Sequence, residues 1–404
     1  MSPARRPPAE DVSPRTVRNH EALLDAATAC LDDEGWAGLA LGRVSKSAGL
    51  SISPARARFT DRNGLAVSLW RDRLAQPLQS ALTNVLAVAS EGRAIDAAAL
   101  QSALAPFISP DRATRCAGEL MIVSRYEPAL GAAVRESLGS LLDVSLTPAR
   151  GRVTRADAAC HAYLLILALG LLLEGHRPGV ADLDLSPVLR DTAAALSEPS
   201  APARLPSASA THLDAGAVFA TGDPAWDRLL QASLDEIGAR GYDAATVDVI
   251  ARSSGSSQGL LFGRYATKRD LFLDATRRML GEATELNVAF QVRIGESHSP
   301  GIAEAVMLRE WMDPRRLALR TIGLEQYRVG WHDPEMQAAM DAEQAPVVEP
   351  LLAMWSADGR DIGLARLHLA RAEGMGPLLL ADLHPEAYRL PYDVVTVPLS
   401  ALTD

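Results

Sequence analysis

The chain repeats itself. The stretch GWAGLALGRVSKSAGLSISPARARFTDRNGL from Gly35 to Leu65 aligns without a gap on GYDAATVDVIARSSGSSQGLLFGRYATKRDL from Gly241 to Leu271, at one offset of 241 − 35 = 206 residues. Trp36 meets Tyr242, Val44 meets Ile250, Gly49 meets Gly255, Ser51 meets Ser257, Arg58 meets Arg264, Phe59 meets Tyr265 and Arg62 meets Lys268. The same offset holds downstream. Arg125-Tyr126-Glu127-Pro128 meets Trp331-His332-Asp333-Pro334, and Gly170 meets Gly376. A repeat of half the chain length restricts the fold to two copies of one unit, and it takes precedence over any element assignment.

The local pattern inside each copy is helical. Gly241 suits the left-handed cap that ends a preceding helix. Val247, Ile250 and Ala251 give the next segment one apolar face. Ser253, Ser254 and Gly255 then make a tight turn. A second short helix runs to Tyr265, with Leu261 and Tyr265 inward and Gln258, Leu260, Phe262 and Gly263 outward. Thr267 is an N-cap for a long third helix. Lys268 and Arg269 at its start oppose the helix dipole, a local cost that an arriving phosphate would offset. Two short helices at this spacing are the unit that lays a helix in the major groove of DNA.

The rest of the chain reads as helix, with no strand pair. Helices are expected near Val17–Glu34, Arg62–Ala89, Ala94–Phe107, Asp111–Arg125, Pro128–Leu146, Arg155–Gly175 and Ser186–Leu196. The second copy repeats the plan from Trp226 to Leu380, and prolines and β-branched residues leave the tail after Pro391 open. The expected division is a disordered arm (1–14), a first helix–turn–helix domain (15–75), a first helical domain (76–196), a Pro/Ser/Ala linker (197–215), a second helix–turn–helix domain (216–278) and a second helical domain (279–404).

Composition excludes several classes. The 404 residues carry a net charge of −10, so the chain as a whole does not advertise nucleic acid. Phosphate binding needs only a local cationic patch, and two occur, from Arg43 to Arg73 and from Arg252 to Arg278. Three cysteines at unrelated spacings, Cys30, Cys116 and Cys160, exclude a disulfide framework and fit a reducing, cytoplasmic setting. The N-terminus has no apolar core of a signal peptide. The longest apolar run, Ala162–Leu173, is short of the roughly 20 residues that span a bilayer, and reads as a buried helix. No catalytic constellation, metal spacing or cofactor motif stands out, so neither an enzyme nor a cofactor is expected.

These residues resemble the tetracycline-repressor (TetR) family of one-component regulators. The second copy carries that family's pattern at Gly241, Tyr242, Thr246, Gly255, Ser257, Gly259, Leu261, Tyr265, Thr267, Lys268 and Leu271, with Phe262 in place of a tyrosine. The first keeps Gly35, Trp36, Gly49, Ser51, Ala55 and Phe59, but has Ala40 for the threonine, Pro54 inside the recognition helix and Arg56 for the tyrosine. The resemblance implies an all-α fold, here a tandem duplication of a three-helix DNA-binding domain plus a six-helix ligand-binding and dimerisation domain. It implies double-stranded DNA and a small-molecule effector as partners, and no membrane. Both halves of the usual homodimer would come from one chain as an intramolecular pseudo-dimer, with a further homodimer as the alternative. The residues expected at DNA are Ser51, Ile52, Ser53, Arg56, Ala57, Arg58 and Arg62 in the first head, and Thr246, Ser257, Gln258, Leu260, Phe262, Arg264 and Lys268 in the second. Arg56 is suited to guanine and Gln258 to adenine; Arg58, Arg62, Thr246, Arg264 and Lys268 are suited to phosphate. The resemblance places Met121, Arg125, Tyr126, Met307, Trp311, Glu325, Tyr327 and Trp331 on the helices that line the ligand pocket. The competing class is a helical ligand-sensing or protein-interaction module with one or both heads no longer reading DNA.

Overall fold

The computed structural model describes residues 14–89, 94–147, 154–198, 204–206, 219–356 and 363–396. The expected N-terminal arm before Pro14, most of the linker and the tail beyond Thr396 lie outside the described residues. Among the described residues every regular element is helical. In the first half, α1 (Pro14–Glu34), α2 (Leu41–Ser47) and α3 (Ile52–Arg58) form a head; α4 (Arg62–Leu69), α5 (Ala75–Ala87), α6 (Ala97–Ile108), α7 (Arg112–Val123), α8 (Pro128–Leu146), α9 (Arg155–Glu174) and α10 (Ser186–Ser197) form the helical body. In the second half α11 (Pro224–Ala244), α12 (Val247–Ser253) and α13 (Gln258–Phe262) form the head. The body is α14 (Lys268–Gly295), α15 (Pro300–Met312), α16 (Leu317–His332), α17 (Pro334–Ser356) and α18 (Gly363–Leu383).

Two departures from the expected elements have local causes. The long helix after the first head is not uniform: between α4 and α5 lies a π-helical turn, Trp70–Leu74. The turn seats the fully buried Trp70, whose indole N–H donates to Ser137 Oγ at 2.9 Å. Among the described residues of the tail, Tyr392–Val395 forms a 3₁₀ turn at the offset where α10 starts in the first half. Pro391 is compatible with a helix start, whereas the β-branched run Val394–Val397 that follows disfavours helix.

The two bodies meet along α9 and α18. All residues from Ala162 to Leu173 are fully buried, apart from the side-chain-less Gly170, which the helix buries too. Ala156–Glu174 is long and apolar enough to cross a membrane by length and hydropathy, yet it is 78% buried inside the protein. Glycine decides how closely the helices approach. A Cβ at Gly170 would lie 1.9 Å from the Ala372 carbonyl oxygen, and one at Gly376 would lie 2.0 Å from that of Ile166. Gly170 and Gly376 share the repeat offset, and so do Ile166 and Ala372. The contact is therefore the same seen from either side, as in a two-fold interface.

The seam also buries polar groups. Tyr163 donates to Glu373, and Tyr327 donates to Glu174 at 2.8 Å. Burial pushes the Glu373 carboxyl up to about 8, partly opposed by the Tyr163 hydrogen bond, and pushes Glu304 up to about 7. A carboxyl raised in the folded state binds more protons folded than unfolded. Its contribution is most favourable below the unfolded value and is lost as pH rises toward the folded value. Glu373→Gln should therefore leave the melting temperature near wild type at about pH 5 and raise it relative to wild type by about pH 8.5. A constant difference across a melting series in that interval would contradict the assignment.

Candidate nucleic-acid interface

Each head is built around two left-handed glycines. Gly35 and Gly49 have φ of +67°, and Gly241 and Gly255 have +79° and +67°. At the turns, Leu50 N–H donates to Ser45 O and Ser256 N–H to Ala251 O, both at 2.9 Å. These bonds close the first helix of each pair in the same way, because only glycine enters the left-handed region without strain. Ala55 and Phe59 are buried in one head and Leu261 and Tyr265 in the other, which pins the second helix of each pair to its core.

That packing leaves the outer faces open. Ser51, Ser53, Arg56, Ala57 and Arg58 are exposed on α3, with Ile52 half-buried. Ser257, Gln258, Leu260, Phe262 and Arg264 are exposed at α13, Phe262 at 53%. Pro54 does not break α3. It lies in the first turn, where its missing N–H would have no intrahelical acceptor. Ala40, by contrast, provides no side-chain cap for α2, whereas Thr246 Oγ1 accepts from Val249 N–H at 3.3 Å and Ser257 Oγ from Leu260 N–H at 3.2 Å. A missing cap costs about 1 kcal/mol.

The two faces differ in charge. Lys46, Arg56 and Arg58 are exposed in the first head, and no acid is paired with them among the described residues. In the second head Arg252 pairs with Asp248, Arg264 pairs with Asp223, and Gln258 donates to Asp248 at 3.1 Å. Exposed pairs of this kind are worth about 0–1 kcal/mol, so phosphate can recruit these arginines. Lys268 is held differently. Its Nζ donates to the Tyr242 carbonyl at 2.7 Å and lies 3.9 Å from the Tyr242 ring centre. Arg62 sits likewise over Trp36, at 4.3 Å. Burial pulls both cations below their ordinary values. The cations at the start of α4 and α14 are thus satisfied inside the fold: Lys268 by a carbonyl and a ring, Arg269 by Asp333 and Glu335. The dipole cost at these positions needs no phosphate to offset it.

Behind the heads lies a buried charge cluster that no local sequence pattern announces. Trp36 N–H donates to Glu119 at 2.7 Å, and Tyr242 N–H to Glu325 at 2.5 Å. Arg328, only 4% exposed, joins both carboxylates: it donates to Glu325 at 2.7 and 3.0 Å, to Glu119 at 3.3 Å and to Asp243 at 2.8 Å. His332 lies 2.8 Å from Glu119. Although burial opposes it, Glu325, Asp243 and Glu119 hold Arg328 well above the ordinary guanidinium value. The hinge glycines touch the opposite half. A Cβ at Gly35 would meet His332 at 2.7 Å, and one at Gly241 would meet Tyr126 at 3.1 Å. Glu119 and Glu325 stand at the repeat offset; the resemblance singles out Glu325 as a pocket residue, and the offset is the one sequence signal for Glu119.

The residues expected around a ligand are dispersed. Arg125, Tyr126, Tyr327 and Trp331 reach between the halves, Arg125 to Asp382 at 3.1 Å and Trp331 to His176 in a stack at 3.7 Å, while Glu325 bonds within its own half to Tyr242 and Arg328. Met307 and Trp311 pack with Phe290 in a small cluster of the second body, and Met121 is buried in α7. Burial pulls His176 down to about 4, so it is neutral near pH 7. Burial pushes the Cys160 thiol up to about 12, which leaves little reactive thiolate. Among the described residues no group of three or more His, Cys, Asp or Glu is placed to hold a metal ion.

A three-helix head with an exposed second helix after a glycine turn defines a helix–turn–helix DNA-binding protein. Residues 229–275, from within α11 into α14, match the family described as bacterial regulatory proteins, tetR family. The second head therefore carries a DNA-binding domain of the tetR family. A search of curated proteins finds no match.

Proposed function

We propose that the chain is a one-component repressor that grips one asymmetric DNA operator with two unlike heads and lets go when a small molecule binds. Each polypeptide acts as an intramolecular pseudo-dimer, with its own first and second halves in the places of two subunits. The observation that carries this reading is the reciprocal seam, Gly170 on Ala372 and Gly376 on Ile166, beneath two heads whose recognition helices are both open to solvent. The heads present different chemistry. Arg56 is suited to guanine, Gln258 to adenine, and the exposed Phe262 to a thymine methyl group. Lys46, Arg58, Arg252, Arg264 and the Thr246 hydroxyl supply phosphate contacts, while Arg62 and Lys268 set the angle of each head on its body.

Selection of bound DNA from a random pool, with the mass of the complex measured in solution, tests the reading. The expected result is a non-palindromic site bound by one chain. Arg56→Ala should weaken binding by about tenfold to a hundredfold and relax preference at one half-site only. Perfect inverted repeats, or two chains per site, would refute the single-chain clamp. The exposed Leu260 and Phe262 favour one second reading, in which the second head docks a protein through an apolar patch. In that case Phe262→Ala leaves DNA affinity unchanged.

A further inference from the structure

Residues of both halves line two cavities that occupy corresponding positions of the repeat. In one, Trp331 stacks on His176, and the remaining space, beside Glu119 and Asp32, is about 130 Å³. In the other the residues at the same offset are Arg125 and Asp382, an ion pair at 3.1 Å, and the cavity is about 310 Å³. That volume falls in the range of small-molecule sites. Its wall combines Val134, Met312, Leu317 and Leu383 with Arg125, Arg135 and Arg320, so three guanidinium groups face the single carboxylate of Asp382. Arg320 is 4% exposed; one of its Nη atoms donates to Asp313 O at 2.5 Å, but its Nε has no hydrogen-bond partner among the described residues. Arg125 Nη1 and Asp382 Oδ2 are likewise buried without a well-aligned hydrogen bond. Buried donors left in this state cost about 1–3 kcal/mol each and are best satisfied by an acceptor that brings charge.

We propose that this cavity binds an organic monocarboxylate with an apolar body, one per chain. The carboxylate lies among Arg125, Arg135 and Arg320, and the body lies along the Val134–Leu317 wall. The smaller cavity does not bind it, because the His176–Trp331 stack narrows it and the guanidinium in its lining, Arg115, is already paired with Asp32. The site rests on the effector-release reading for its purpose, but not for its existence. Its position fits that purpose. Ser124 and Arg125 face the cavity, Tyr126 packs against the Gly241 hinge of the second head, and Glu127 accepts from Asn63 Nδ2 at 2.5 Å at the base of the first head. One four-residue turn therefore touches the ligand site, the second head and α4, the helix that carries the first head. A carboxylate that draws Arg125 away from Asp382 moves that turn.

Calorimetric titration of the full chain with octanoate, 1-octanol and inorganic phosphate tests the proposal. Octanoate should bind saturably at one site per chain, with 1-octanol and phosphate at least about tenfold weaker. Arg135→Gln, at the exposed rim, should weaken octanoate binding severalfold. Asp382→Asn should tighten it severalfold by removing the competing carboxylate, an effect opposite to that of a merely structural residue. If Asp382→Asn fails to fold, Leu317→Trp at the exposed mouth should block octanoate without changing the melting temperature. No saturable binding of octanoate, equal binding of 1-octanol, or unchanged affinity in both Arg135→Gln and Leu317→Trp would overturn the site. Octanoate that binds as expected but leaves affinity for a selected DNA duplex unchanged supports the site and refutes effector release.

Discussion

Arg328→Met is expected to destabilise the protein by about 3–5 kcal/mol, because it leaves two buried carboxylates without their shared cation. Glu325 is fully buried and Glu119 is 2% exposed, and Arg328 is the only guanidinium that bonds to either among the described residues. Methionine matches the volume, so the loss reports charge rather than a void. The sign of a second substitution checks the cause. Glu325→Gln in the Arg328→Met background should recover part of the loss, because a neutral amide still receives the Tyr242 N–H while no longer burying a charge. Equilibrium denaturation of the wild type, the single variants and the double variant measures the coupling. A loss of less than about 1 kcal/mol would show that water reaches the cluster and screens it. The consequence extends to function. The cluster holds Trp36 and Tyr242, the residues just after each hinge glycine, so the variant should also lose DNA affinity under conditions where it remains folded.

Gly170→Ala is expected to cost about 1–3 kcal/mol, despite the better helix propensity of alanine. The added carbon would overlap the Ala372 carbonyl at 1.9 Å, and backbone cannot swing aside as a side chain does, so α9 and α18 must separate. Gly376→Ala meets Ile166 in the same way and should cost a similar amount. Because the two contacts share one seam, the double variant should cost less than the sum. Gly139 in α8 is the control. A Cβ there meets nothing within 4 Å, so Gly139→Ala should stabilise by about 0.5–1 kcal/mol. Thermal melts of these variants separate a close helix crossing from a general preference for glycine. If Gly170→Ala behaves like Gly139→Ala, the seam is wider than described.

The heads were legible in the sequence because their determinants are local. A glycine that must take positive φ, an apolar pair four residues apart and a capping threonine act within one or two turns, so Gly255, Leu261 with Tyr265, and Thr267 could be read directly. Pro54 looked like a defect in the recognition helix, and its harmlessness depended on where the helix begins. The surroundings of Arg62 and Lys268 are not legible locally for a related reason. A cation at a helix start looks unsatisfied until the ring and carbonyl that fold over it are known. The ligand-side residues were harder still. Arg125 and Trp331 stand out in the sequence only as bulky or polar side chains, and their partners, Asp382 and His176, come from the opposite half.

Periodicity and the constant offset determined, from the sequence alone, that the chain is helical, that it repeats, and where each head turns. Tertiary structure alone decided which charges are buried together, that Arg328 ties both hinges to one point, and that two cavities at equivalent positions differ in size and charge. The physical reason is range. Backbone conformation and amphipathic faces are set by neighbours a few residues away. The burial of Glu119 beside Arg328, or of Arg125 beside Asp382, depends on how two halves of the chain pack, and no local pattern carries that information.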